Sequence, residues 1–152
     1  MLNYLSPRLR SILGQRTWPT LEEIRLRLER PLMIKDESGF LYISPQGQSC
    51  PPHAAYLVNR DDIERTLQLV TENSWYAWEQ EILGGFVTLP GGHRVGIGGQ
   101  AVYAQGMLKT IRHVSSLNFR QARQVVGAAD SIINTVVSKA SDNVLSTLIV
   151  SP

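Results

Sequence analysis

The chain has a single cysteine, Cys50, so no internal disulfide can form and no metal site can be assembled from thiolates. It also lacks any run of the roughly eighteen apolar residues that a membrane span requires. The opening residues MLNYLSPRLRSILG show no basic start leading into an apolar stretch, so they do not read as a signal peptide. Together these absences point to a protein of a reducing, cytoplasmic compartment. A more local absence is more telling. From residue 82 to residue 129 there is no Asp or Glu, while five of the fifteen basic residues (Arg94, Lys109, Arg112, Arg120, Arg123) and nine of the twelve glycines fall there. The chain carries a formal charge of +2, so this +5 segment leaves the remainder at −3. Such a split predicts a positive surface that meets phosphates, nucleic acid or an acidic partner.

Its 152 residues suffice for one domain, or for one domain and the start of another. Ser6 and Pro7 form an N-cap and first-turn pair, and Gly14 a stop, which predicts a helix between them. Residues 20–23 have the form of a capping box, yet Ile24, Leu26 and Leu28 alternate with Arg25, Arg27 and Glu29. The alternation decides for a strand, because Pro31 would stop a helix too soon. Residues 32–35 continue extended, 36–39 turn, and 40–44 return as the second arm of a hairpin. Residues 45–53 read as loop. Asn59 caps a helix with Ile63, Leu67 and Val70 on one face, and Ser74 starts a shorter helix through Glu81, closed by Gly84 and Gly85.

Strands are predicted at 86–89 and 93–103, then extended segments at 107–112 and 117–123. A helix from Asp130 or Ser131 through Ala140 would bury Ile132, Ile133, Val136 and Val137. Residues 145–150 read as a strand of the fully buried, parallel-sheet kind. Such a strand needs neighbours on both sides, so the chain is expected to be a fragment of a longer protein.

Among motifs, Gly96-Ile-Gly98-Gly-Gln-Ala101 formally fits a dinucleotide fingerprint. That pattern works only at a strand-to-helix turn, and here a strand-like AVYAQG follows. Glycines that bend a strand or admit another backbone are the better reading. His93-Arg94 and Arg112-His113 lie on strands expected to be neighbours, which fits either two solvated basic pairs or an anion clamp between Arg94 and Arg112. Two histidines and a distant cysteine do not make a metal site. Trp75, Tyr76 and Trp78 suit a stacking platform for single-stranded nucleic acid, but Trp75 and Trp78 at i and i+3 fit a buried helix face better. Ser115-Ser116 has no accompanying base, and no catalytic constellation is visible.

Four segments in order resemble the N-terminal region of the stage III sporulation protein AA family. They are Glu23-Ile-Arg-Leu-Arg27 with Arg30-Pro31-Leu32; Ser74-Trp-Tyr-Ala77; Gly84-Gly-Phe-Val-Thr88 running into Gly91-Gly-His-Arg-Val-Gly96; and Ser115-Ser-Leu-Asn-Phe-Arg120. Thr147-Leu-Ile-Val-Ser-Pro152 is similar to the strand entering that family's Walker A loop. The resemblance implies kinship with the ring ATPases of secretion and pilus retraction. It implies an α+β fold: residues 1–125 as a PAS-like N-terminal domain with an antiparallel sheet and flanking helices. Residues 126–143 would be a linker helix, and 144–152 the first strand of a missing RecA-like ATPase domain.

It further implies a cytoplasmic mother-cell motor, hexameric when whole, docked on membrane proteins of the channel that feeds the forespore. The G-x-x-x-x-G-K-[ST] loop and the Walker B acid are missing, so ATP and Mg are expected only in the full-length protein and this chain is expected not to hydrolyse ATP. Arg94 and Arg112, with Arg120 behind them, are by this resemblance the candidate arginine fingers. Two other readings stand beside it: a free-standing module for single-stranded nucleic acid, which the charge of only +2 disfavours, and a passive protein-interaction domain.

Overall fold

The computed structural model describes residues 1–123, 126–137, 143–148 and 150. Two compact units divide the chain, Met1–Ala122 and Arg123–Pro152. The first contains α1 (Pro7–Leu13), β1 (Glu23–Arg27), β2 (Met33–Asp36), β3 (Gly39–Ile43), β4 (Ser49–Cys50), α2 (Arg60–Val70), α3 (Glu79–Leu83), β5 (Phe86–Thr88), β6 (Arg94–Ala104) and β7 (Met107–Arg120). Its strands make one antiparallel, seven-stranded sheet in the order β4-β3-β2-β1-β7-β6-β5. The fold is α+β, as the sequence led us to expect.

Strand period sets which face is buried. Opposite one another across the sheet lie Val87, Val95, Phe119, Ile24 and Ile34, all fully buried. Leu9, Ile12 and Leu13 of α1, Ile63 and Val70 of α2 and Ile82 of α3 belong to the same core, so the helices cover that face. Trp75 and Trp78, in a 3-10 turn leading into α3, are half-buried against it, whereas Tyr76 is 85% exposed. The core reading of the two tryptophans holds, and no aromatic platform forms.

The helix layer is fixed by polar contacts as well as burial. Ser6 caps α1 by accepting from the Leu9 N–H, and Asn59 and Asp62 form a capping box at the start of α2. The Asp62 carboxylate, 1% exposed, also accepts from Ser6 Oγ at 2.9 Å and the Tyr56 hydroxyl at 2.6 Å. A buried acid is tolerable only with such a set of donors. Asp62 therefore ties the chain before α1 and the segment before α2 to one helix end.

Several local expectations change. The predicted loop at 45–53 contains β4, which pairs with β3. The strand at 24 ends at Arg27, before Leu28, and Glu29 turns the chain with a φ of 57°. The segments predicted at 107–112 and 117–123 are one strand to Arg120, interrupted by a bulge where Gly98 faces Ser116 but Gln100 faces Arg112. His113 sits in that bulge with a φ of 46°, a left-handed conformation uncommon for a non-glycine. Gly99 opposite it admits no side chain, because a Cβ would come within 2.7 Å of the Arg112 carbonyl oxygen.

In the second unit the described helix is α4 (Ile133–Val136), shorter than the predicted span. Ile132 and Ile133 are exposed rather than buried, since four helical residues present no face to cover. The continuation of that prediction over 138–140 lies outside the described residues. Val137 makes an antiparallel bridge to Val144. Residues 145–148 form no ladder, and Val144, Leu148 and Val150 are more than 70% exposed. Apolar residues expected in a buried strand thus lack a sheet to enter among the described residues.

The one-sided core makes a direct prediction. Phe119→Ala removes a fully buried ring and is expected to cost about 3–5 kcal/mol of unfolding free energy. Phe40→Ala, on the opposite face, is expected to cost no more than about 1 kcal/mol. Denaturant unfolding of both variants checks this, and comparable losses would contradict a core confined to one face.

A basic sheet face as candidate functional site

The residues alternating with the core form the other face of the sheet, on which no helix of the first unit packs. One row across it reads Thr88, Arg94, Arg120, Glu23, Lys35 and Phe40, each directly opposite the next on the neighbouring strand. The next row reads Phe86, Gly96, Asn118, Arg25, Met33 and Tyr42. Ser116 and Arg27 follow on β7 and β1. Strand alternation alone places Arg25, Arg27, Arg94 and Arg120 together on this face.

Like charges directly opposite on antiparallel strands repel, so the Arg94–Arg120 pair needs compensation. Two neighbours supply part of it. The Arg94 guanidinium lies 5.0 Å from the centroid of the Phe86 ring, a cation–π contact. Glu23, 5% exposed, flanks Arg120 from β1 and is held by Arg25 at 2.5 Å. Burial pushes the Glu23 carboxyl up, but the hydrogen bond and charge of Arg25, the Asn118 amide and the charge of Arg120 together hold it below the ordinary value. Neither Arg94 nor Arg120 is within ion-pair distance of a carboxylate among the described residues. Their donors are free to meet an anion.

The structure brings together a different pair from the one the sequence suggested. Arg112 lies opposite Gln100, six positions along β6 from Arg94. At about 3.3 Å per residue that is roughly 20 Å, too far for one carboxylate or phosphate. The expected clamp between Arg94 and Arg112 is therefore not formed, and Arg120 is the partner of Arg94. The error came from treating 107–112 as the part of the return strand facing 93–94, when a long hairpin puts its last residues there.

His93 does not join the arginines as a cation. Its Nδ1 accepts from the Ala122 N–H at 3.1 Å, which requires an unprotonated nitrogen. Burial, and secondarily the N-terminal charge, shift its pKa in the same downward direction. The glycines of the formal dinucleotide pattern lie inside the β5–β6–β7 ladder, not at a helix N-terminus, so they cannot cradle a pyrophosphate. Among the described residues no group of three or more His, Cys, Asp or Glu could hold a metal ion. No described helix is long and apolar enough to cross a membrane.

Sequence reasoning missed Arg25, Arg27 and Arg30 because attention stayed on the acid-free segment. These three surround a cavity of about 430 Å³ on the same face, with Pro31, Met33 and Tyr42. The available signal was the alternation itself, which put Arg25 and Arg27 opposite in facing to Ile24 and Leu26.

Comparison with known proteins gives two matches and one absence. The family described as "Sporulation stage III, protein AA" matches residues 1–152. The stage III sporulation protein AA of Bacillus subtilis (strain 168) is 31% identical over 142 residues, covering 93% of this chain and 42% of that protein. The chain thus spans less than half the length of this relative. No solved structure matches the chain.

The charge arrangement around Glu23 predicts a pH dependence. A carboxyl held below its ordinary value contributes stability above about pH 4.5 that is lost as pH falls through its folded-state value. Glu23→Gln is expected to unfold at lower denaturant than the parent at neutral pH, with the gap closing below about pH 4. A gap that stays constant with pH in paired unfolding curves would show that the ionised carboxylate contributes nothing.

Proposed function

The chain belongs to the stage III sporulation protein AA family, and on that premise we propose that Met1–Ala122 is the assembly and regulatory domain of a sporulation ring ATPase. Family membership supports a role in sporulation. The finer reading is that the whole protein is a cytoplasmic mother-cell motor that docks on membrane proteins of a channel to the forespore. In this reading the antiparallel sheet, helix-covered on one face and open on the other, is PAS-like. The exposed apolar residues Val144, Leu145, Leu148 and Val150 belong to the first strand of a RecA-like domain, whose remaining strands would cover them. The relative's greater length leaves room for such a domain.

The observation that carries the proposal is the Arg94–Arg120 pair on the open sheet face. Two guanidiniums opposite each other, only partly balanced by Phe86 and Glu23 and with no carboxylate in ion-pair reach among the described residues, gain from an anion that meets them. In the assembled ring we assign that anion to the phosphates of ATP held by a RecA-like domain, its own or a neighbour's. The arginines would act there as charge donors that stabilise the transferring phosphoryl group. Arg112 lies too far along the hairpin to serve the same phosphate group, and in a ring it would face a different surface.

In the whole protein, Arg94→Ala and Arg120→Ala are each expected to lower ATP turnover by about 100-fold. Steady-state phosphate release tests this, with circular dichroism to establish that both variants fold. Unchanged turnover in two folded variants would remove the arginine-finger role.

A further inference from the structure

A second group of arginines lies on the same sheet face, at its β1–β2 end. Arg25, Arg27 and Arg30 converge on the 430 Å³ cavity, whose apolar parts are Pro31, Met33 and Tyr42. Arg25 is already engaged by Glu23, but Arg27 and Arg30 are exposed and have no carboxylate within ion-pair distance among the described residues. Among the described residues no acid lines the cavity. We propose that this cavity docks an acidic segment of a partner polypeptide, its carboxylates taken by Arg27 and Arg30 and its chain lying along the open sheet face.

Two observations select a carboxylate-bearing peptide over a nucleic acid. Base recognition on a sheet face needs aromatic rings with free faces. Here Arg25 lies 4.3 Å from the Phe40 centroid and Arg94 5.0 Å from that of Phe86, so guanidiniums already occupy one face of each ring. A stacked guanidinium keeps its in-plane N–H donors, which suit the bidentate grip of a carboxylate. Secondly, the basic surface is not a continuous track. Glu23 and the Lys35–Glu22 ion pair, at 2.8 Å, interrupt it, as a polyanionic backbone would not tolerate but a peptide with spaced acids can. Met33, Pro31 and Tyr42 add apolar area for the peptide's other side chains. The site stands on its own geometry and does not depend on the ATPase reading.

The test is fluorescence anisotropy of a labelled poly-glutamate peptide titrated with this chain. Saturable binding is expected at micromolar concentration, weakened roughly tenfold in the double variant Arg27→Ala, Arg30→Ala. Arg27→Lys with Arg30→Lys keeps the charge but loses the forked geometry, and most of the weakening is expected to remain. Lys109→Ala with Arg112→Ala, on the distant hairpin, is expected to leave binding unchanged. Three results would overturn the proposal: no saturable binding below about 1 mM, equal losses in the hairpin variant, or tighter binding of a single-stranded oligonucleotide of matched charge.

Discussion

Everything in the first unit depends on the pairing of β1 with β7. Ile24 meets Phe119 and Leu26 meets Leu117, contacts that close nearly the whole length of the unit. The strands β1–β4 form a local meander and β5–β7 another, and the two meet only at β1–β7. Joined at β1–β7 they become a continuous sheet with one apolar face, on which α1, α2 and α3 can pack. Such a long-range closure is entropically expensive. It is offset by the fully buried Ile24, Leu26 and Phe119, which sit where the two halves meet.

The same pairing writes the electrostatics of the other face. A one-residue slip of β7 against β1 would move Phe119 to the open side and Arg120 into the core, so register is enforced by burial. With register fixed, Arg120 has Arg94 on one side and Glu23 on the other. The acid that balances the acid-free segment therefore comes from the far end of the sequence. The segment is basic as a stretch of chain, but its sheet neighbour is partly neutralised in space. What is left without an ion pair among the described residues are two separate sites, Arg94 with Arg120 and Arg27 with Arg30.

Much of this was legible in the sequence, for identifiable reasons. Alternation in EIRLR and the proline after it decided β1 against a capping-box signal, and the Asn59 cap placed α2. Alternation also separated Ile24 and Leu26 from Arg25 and Arg27. What could not be read was who pairs with whom. The pairing of Arg94 with Arg120 follows from the length of the β6–β7 hairpin and from a bulge whose residue, His113, has nothing in its type to announce a left-handed backbone. Short-range patterns carry face and period, whereas register is a property of two strands together. For the same reason β4, only two residues long in a proline-rich stretch, gave no periodic signal at all.

The bulge also explains why the basic residues of the hairpin should be treated as a separate surface. β1 pairs with β7 only from Ser116 onward, and β5 pairs with β6 only as far as Gly96. Beyond Gly98 and Ser116 the two strands continue as a two-stranded ribbon, with Val114 buried and Ile111 packed against the core at its base and exposed Tyr103 and Met107 near its tip. His113 and Gly99 mark the point where the ribbon leaves the sheet, and bulges at such places raise the local twist and turn the strands aside. Lys109 and Arg112 ride on the ribbon, while Arg94 and Arg120 stay on the rigid sheet. An anion seated on the pair is thus held by backbone locked into a ladder on both sides, as a positioning role requires. Beyond the bulge each ribbon strand is laddered only to the other, so Lys109 and Arg112 have that support on one side alone.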